Sequence, residues 1–387
     1  MEPRCTRKVL LCGSLLLLAT TAWGQEESGG SSSIALGLGV TVDSAVTDGS
    51  VGEVFTGAGN HTWPFHRGDI IVGGDVSKIV ATQAQQQSPL TFSVNAAGVY
   101  KVSPRATLRI GEKVTDGYAR QLTDDMLADE RTLYPTVLTR FNSLATGFTY
   151  ELSPLSLLQV EGQYETIHFR GASGEDVTTA ATETTLLQRS SSYLAAVSFH
   201  HRLTRTNSLG IDHVSSRGTF GAGDSSTTHG FRLLWDGSVG RDFAISAGIG
   251  PVAYFVPFLN GFHYATIGRL ILSRHGDEGS FTIGYERLID VLGNAHLSNL
   301  VKTSYSRSFT KLTIGTSGTY ATNSYPGDPR FRNEGIVAEL SGEYKLGAAL
   351  TVVANYTYWR RSPTGSAGFD LTNYATGVSL LYGHTWR

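Results

Sequence analysis

Over residues 335–359 the side chains alternate so regularly that only an extended backbone accommodates them. Ile336, Ala338, Leu340, Gly342 and Tyr344 fall on one parity, and Val337, Glu339, Ser341 and Glu343 on the other. Successive strand residues point to opposite faces, so a period of two marks a strand, whereas a helix would repeat every 3.6 residues. After the link 345–349 the alternation resumes, with Leu350, Val352, Ala354, Tyr356 and Tyr358 set against Thr351, Val353, Asn355 and Thr357. This predicts a β-hairpin with one apolar and one polar face. Each arm is roughly 10 residues long, about what a tilted strand needs to cross a bilayer.

The rest of the chain has the composition for many such strands. Of 387 residues, 17% are charged, and 45 Gly with 17 Tyr and 17 Phe favour short strands and Gly-rich turns over helices. The length would suit two or three soluble domains, yet no composition break marks a boundary, and one large barrel absorbs it. Residues 1–24 read as a secretory signal: Arg4, Arg7 and Lys8 precede an apolar stretch, and Ala22-Trp23-Gly24 ends small-x-small. Both cysteines, Cys5 and Cys12, leave with it, so thiol chemistry and disulfides are not expected of the exported chain. The balance of 31 basic to 33 acidic residues tips further to acid once that segment is gone, which argues against nucleic acid as a partner. No later apolar run reaches the ~18 residues of a membrane helix. An exported chain that spans a membrane without helices is confined to a closed barrel.

Taken in order, residues 25–66 are expected to be a flexible or partly ordered N-terminal segment, with 34–42 a possible strand, and the barrel is expected over 67–387. Residues 69–76 are assigned as the first membrane strand and the Gln-rich 82–88 as an external loop. Hairpins follow over 91–115, 141–169, 191–217, 228–255, 263–289, 300–322 and 335–359, then a final strand over 371–386. Short turns such as Lys101-Val102-Ser103-Pro104-Arg105 and Ser153-Pro154 alternate with longer Gly/Asp/Ser/Asn-rich links. That alternation is what a transmembrane barrel requires, with tight periplasmic turns and long external loops. Counting from Thr91 gives fifteen strands, an odd number. Both termini in the periplasm require an even one, so the fold class expected is an all-β, transmembrane, antiparallel up-and-down β-barrel of about sixteen strands, with fourteen or eighteen as alternatives.

The segments Phe199-His200-His201-Arg202-Leu203-Thr204-Arg205-Thr206-Asn207-Ser208-Leu209-Gly210 and Tyr305-Ser306-Arg307-Ser308-Phe309-Thr310-Lys311-Leu312-Thr313-Ile314-Gly315 resemble the Tyr-x-Arg-x-Leu-Ser/Thr turns of porin-like bacterial outer-membrane proteins, among them the β-barrel porin group. The resemblance covers most of the mature chain and implies no catalytic residue. It extends to the C-terminus, where Val378, Leu380, Tyr382 and Trp386 follow the alternating, aromatic-ended pattern read by the barrel-insertion machinery. His384 and the terminal Arg387 depart from that pattern.

The polar parity of 155–169 carries the densest chemistry, with Gln159, Glu161, Gln163 and Glu165 on one face. Together with Glu151, Glu339 and Glu343 they form a candidate pore wall, since acidic groups in a channel concentrate cations. Arg109, Lys113, Arg232, Arg269 and Lys302 would offset it. The alternative is a hydrated or plugged lumen whose carboxylates pair with neighbouring Arg and Lys. Residues 116–140 form a long loop holding Asp124, Asp125, Asp129, Glu130, Arg120, Arg131 and Arg140, either a surface loop or an inward constriction.

Chemistry beyond a pore wall has little support. His200, His201, His213 and Asp212 stand among many serines, but no nucleophile motif accompanies them and catalysis is not expected. Adjacent His200 and His201 point opposite ways and cannot share a metal. Neither a metal nor a cofactor is expected. Tyr344, Tyr356, Tyr358, Trp359, Tyr374, Tyr382 and Trp386 are predicted to form aromatic girdles at the membrane interfaces, with a saccharide-stacking track the weaker alternative.

The function expected is a channel for passive or export-coupled passage of small polar solutes or saccharides. The alternative is a structural or assembly component of exopolysaccharide export without an open pore. Expected partners are outer-membrane lipid, the insertion machinery, a small polar solute or saccharide, and further copies of the chain. The hairpin that opened the argument carries the most exposed expectation: Leu340, Tyr344, Val352 and Tyr356 should face lipid, and Glu339 and Glu343 the lumen.

Overall fold

A computed structural model describes residues 30–43, 51–81, 90–118, 138–170, 189–220, 224–257, 261–276, 278–290, 296–325, 328–364 and 371–386. They form β1 (Ser31–Asp43), β2 (Val51–Phe65), β3 (Gly68–Ala81), β4 (Thr91–Ser103), β5 (Ala106–Tyr118), β6 (Leu138–Ser153), β7 (Ser156–Arg170), β8 (Ser190–Arg202) and β9 (Asn207–Phe220). The second half of the chain supplies β10 (Asp224–Val239), β11 (Phe243–Phe255), β12 (Phe262–Gly276), β13 (Gly279–Asp290), β14 (His296–Ser308), β15 (Leu312–Tyr325), β16 (Asp328–Lys345), β17 (Leu350–Thr364) and β18 (Leu371–Trp386). Every strand pairs antiparallel with its chain neighbours. The last pairs with the first, from Ser32 opposite Trp386 to Asp43 opposite Ala375, so the 18-stranded sheet closes on itself.

Eight connections of two to four residues lie at one end, and both termini of the sheet lie there too. The opposite end carries the links 119–137 and 171–189. In transmembrane barrels the end with the short turns is the periplasmic one.

Cross-strand partners share a face, so the register carries one parity assignment around the ring. Leu340 is opposite Tyr356, which is opposite Thr376; Val352 is opposite Leu380, which is opposite Leu38, which is opposite Phe55. Leu340, Tyr356, Leu380, Leu38 and Phe55 are all exposed large side chains. The apolar face thus points outward, and Glu339 and Glu343 stand on the opposite parity, inside. In water this would be an inverted protein; in a bilayer the exposed apolar surface meets lipid.

The thickness of the outward apolar face also fits. Lys78, Asp116, Arg217 and Arg360 all lie on the outward parity, and each is the tenth residue after the first of its strand at the short-turn end. At roughly 2.5 Å of height per tilted residue, ten residues span about 25 Å, the height of a lipid-facing band.

Three expectations need correction. The barrel has eighteen strands rather than the favoured sixteen, the larger alternative. The fifteen strands counted from Thr91 are present, but three precede them instead of one, because residues 31–65 form β1 and β2. Residues 31–65 are thus barrel wall and not a flexible leader. Their pattern hides this: the outward positions of β2 include Gly57, Gly59 and His61, and Pro64 interrupts a run that otherwise reads as strand. Finally, Trp359 does not join an aromatic girdle. It lies on the inward parity between Val337 and Asn373 and is only 1% exposed.

Replacing Leu340 by Arg, midway through the lipid-facing band, should destabilise the folded barrel by ~2–4 kcal/mol. Ser341→Arg, one residue on and facing inward, should cost under about 1 kcal/mol. Urea unfolding in lipid vesicles, followed by tryptophan fluorescence, measures both.

Candidate functional site: the inner wall

The inner wall is built by the parity opposite the apolar face. Arg109, Lys113, Glu151, Gln159, Glu161, Gln163, Glu165, Arg232, Arg269, Lys302, Glu339 and Glu343 all fall on it. The strand order places them around the ring. β7, with Glu161 and Glu165, is nine strands from β16, with Glu339 and Glu343, so these acids occupy opposed walls of an 18-membered ring. β5, with Arg109 and Lys113, is likewise nine strands from β14 with Lys302. β5 is two strands from β7, and β14 two from β16, so each basic wall stands beside an acidic one.

Local surroundings set how available each group is. Glu161 sits between Gly147 and Ala196, whose short side chains leave its carboxylate standing clear, and it is exposed. Arg109 is on the other side of the same Gly147. Glu165 is held: Gln163 Nε2 donates to its Oε1 at 2.7 Å and Ser192 Oγ to its Oε2 at 3.4 Å. Gln159 accepts from Ser198 Oγ at 3.4 Å, and Glu339 from Ser317 Oγ at 2.8 Å.

The strongest polar contact on the wall was not read from the sequence. Arg232 grips Asp212 through Nη2 at 2.6 Å and Nε at 3.1 Å, with side-chain exposures of 19% and 8%. A planar guanidinium fork on a carboxylate is the firmest ion pair available to side chains. It neutralises Arg232, which therefore does not offset the acidic walls as a free cation would. Asp75 accepts from Ser93 and lies within electrostatic reach of Lys113. Glu286 and Asp236 add further acids on the inward parity. These were missed because a pair across two strands leaves no spacing in the sequence, only a shared parity once the register is known.

Exposure of the inward side chains changes along the barrel. Glu343, Glu151 and Arg109, near the short turns, are exposed. Phe141, Ile167, Phe169, Leu300, Val337 and Trp359, eight or more residues from the short turns, are buried. Thr139, Ser190, Ser226 and Ser298 at the same level are buried too. The inward side chains are thus open toward the short turns and covered toward the long links. On the outer face, Arg140 closes on Asp116 at 2.8 Å at the foot of the link between β5 and β6. The link itself, with Asp124, Asp125, Asp129, Glu130, Arg120 and Arg131, lies outside the described residues.

His200 and His201 diverge as adjacent strand residues must: His200 faces inward, 3.9 Å from Asp236, while His201 bonds Ser156 Oγ at 2.9 Å on the outer face. No group of three metal-ligating side chains stands together among the described residues.

No family model matches this sequence, and no curated protein does. Solved structures do match its fold. OccK2 (OpdF) of Pseudomonas aeruginosa, determined in complex with glucuronate, is 13% identical with a TM-score of 0.53, covering 93% of this chain and 99% of that one. OpdK of Pseudomonas aeruginosa with vanillate is 14% identical with a TM-score of 0.50, covering 92% and 99%. This chain shares their closed β-barrel fold. The likeness is one of fold, spanning both proteins almost end to end, and the outward apolar band agrees with it.

Removing Arg232 leaves the Asp212 carboxylate unpaired and largely buried. Arg232→Ala should cost about 3 kcal/mol of barrel stability, and Arg232→Met combined with Asp212→Leu should recover most of it. Urea unfolding of the refolded proteins reads the difference.

Proposed function

We propose that this protein is a porin-like channel that lets small polar solutes or saccharides cross the outer membrane, passively or coupled to export. The single observation that carries this reading is the separation of the two faces of a closed 18-stranded ring: apolar outside, and polar with ionisable groups inside. Rings of this size leave room for an aqueous lumen. A hydrated lumen removes most of the cost of carrying a polar solute through hydrocarbon, and the charges that line it bias which solutes enter. No chemical step is needed, which sets the reading apart from an enzyme.

The inner wall suggests what the bias is. Arg232 is tied to Asp212 and Lys113 lies near Asp75, whereas Glu161 stands clear between two small residues. The free acids lean the lumen toward cations. Arg109 and Glu161, on either side of Gly147, also offer a zwitterionic solute both charges on one wall. Selection would occur toward the long links, where the inward side chains are covered. Entry into the membrane would follow cleavage after residue 24 and recognition of β18 by the insertion machinery.

Single-channel recording in planar bilayers tests the proposal. Discrete conductance steps with cation selectivity are expected, and Glu161→Gln with Glu165→Gln should move the reversal potential toward zero under a salt gradient. A correctly folded, inserted protein that conducts at no salt concentration would leave the assembly role in polysaccharide export as the better reading.

A further inference from the structure

The outer face carries a few ionisable side chains within its band, His61 and Arg287 among them, and two, Glu112 and His213, stand at its mid-height. Glu112 lies on the outward parity of β5, between Ala96 and Leu144, and is the sixth residue after Ala106. That puts it near mid-height of the lipid-facing band, the only acid there among the described residues. His213 lies on the outward parity of β9, between Val197 and Phe231, and is the sixth residue after Asn207. Its ring packs 4.5 Å from that of Phe231, but neither nitrogen has a hydrogen-bond partner among the described residues, and neither does the Glu112 carboxylate. Ionisable groups facing hydrocarbon are costly and mark a site where something other than lipid covers them.

The two residues stand at equal height. The row of cross-strand partners that starts at Glu112 runs through Leu144, Tyr164 and Tyr193 to Arg217, four residues beyond His213. Such a climb across four strands is what the tilt of a closed barrel produces. Level with Glu112, then, β9 presents His213. They cannot meet within one chain, because three strands separate β5 from β9 on a convex wall.

Between them, β7 presents Gly162 at the same level, the sixth residue after Ser156. β6 and β8 present Thr146 and Ala195, each the seventh residue before its short turn. These residues floor an outer groove of about 430 Å³, rimmed by Leu144, Tyr164 and Tyr193.

We propose that the protein forms a twofold-symmetric dimer in the membrane through the outer face of β5–β9, in which Glu112 of each copy pairs with the partner's His213. An axis along the membrane normal over β7 superimposes the two halves of this face: β5 meets the partner's β9, and β6 its β8. In such a contact the same patch serves both copies. Two convex walls touch most closely on the axis, where Gly162 allows it, and diverge on either side, where the long Glu112 and His213 side chains span the gap. Each copy then satisfies both polar groups of the other, away from water and lipid. The small residues do not drive the contact; they let the charged flanks reach.

Symmetry supplies the test. Gly162→Cys, expressed in outer membranes and oxidised, should cross-link as a dimer, because only a residue on the axis meets its own copy. Glu112→Cys with His213→Cys in one chain should also cross-link, while either alone should do so at least tenfold less. Leu340→Cys, on the far wall of the ring, is the background control. Folded barrels are identified by their faster migration in unheated gels, so only inserted protein is scored. The proposal is overturned if Gly162→Cys gives no more dimer than Leu340→Cys, or if Glu112→Cys alone links as well as the double variant. Native mass spectrometry of the unaltered protein gives a reading free of substitutions: the dimer mass is expected, and a monomer mass in every mild detergent overturns the proposal.

Discussion

A peptide group in hydrocarbon has no water to fall back on, and the whole architecture depends on that. An unpaired N–H or C=O costs several kcal/mol there, so a sheet in a membrane tolerates no free edge. The pairing of β1 with β18, continuous from Ser32 to Asp43, removes the only two edges this sheet would have. Closure is therefore not one contact among eighteen seams but the condition under which the others persist. It runs through residues 31–65: β18 pairs with β1 and β1 with β2, so these two strands are the wall that joins the end of the sheet to β3. An even number of strands returns the chain to the side from which it started.

Once the ring is closed, the two faces obey opposite rules. Outward, Leu36, Leu38, Val40, Ile249 and Leu270 contribute to stability by meeting lipid, although a fold in water would bury them. Inward, polar and ionisable side chains predominate, and where they are buried some are paired, as Arg232 and Asp212 are, while Ser226 Oγ and Arg269 Nε have no partner among the described residues. The apolar side chains that do turn inward, Phe141, Ile167, Phe169 and Trp359, cluster toward the long links and are buried there. A uniform alternation of parity thus yields an inner face that is not uniform along the barrel axis.

Much of this was legible in the sequence because a period of two is local. The hairpin over 335–359 states its own parity, and the strands from Thr91 onward repeat it, so their number and most of their turns were readable. β1 and β2 were harder because Gly57, Gly59 and His61 stand where Leu or Val would announce a lipid face. Trp359 was misread because an aromatic near a strand end suits either an interface or an interior, and only its parity against Val337 decides. The inner-wall candidates were found because Gln159 to Glu165 are consecutive on one face. Asp212 and Arg232 were not found together because their meeting depends on the register between β9 and β10, which no local pattern encodes.

The opposite rules also make a misplaced residue informative in proportion to the face it occupies. Glu161 and Glu112 are chemically the same and lie two strands apart on nearly the same level, yet they differ in meaning. Inside, a carboxylate flanked by Gly147 and Ala196 stands exposed among other polar groups. Outside, a carboxylate flanked by Ala96 and Leu144 has neither water nor a neighbouring cation, and the same charge is a cost that some partner must offset. The outer face of this barrel holds few such departures, and two of them, Glu112 and His213, are level with one another and symmetric about Gly162. A random scatter of tolerated polar residues has no reason to respect an axis; a surface that meets its own copy does.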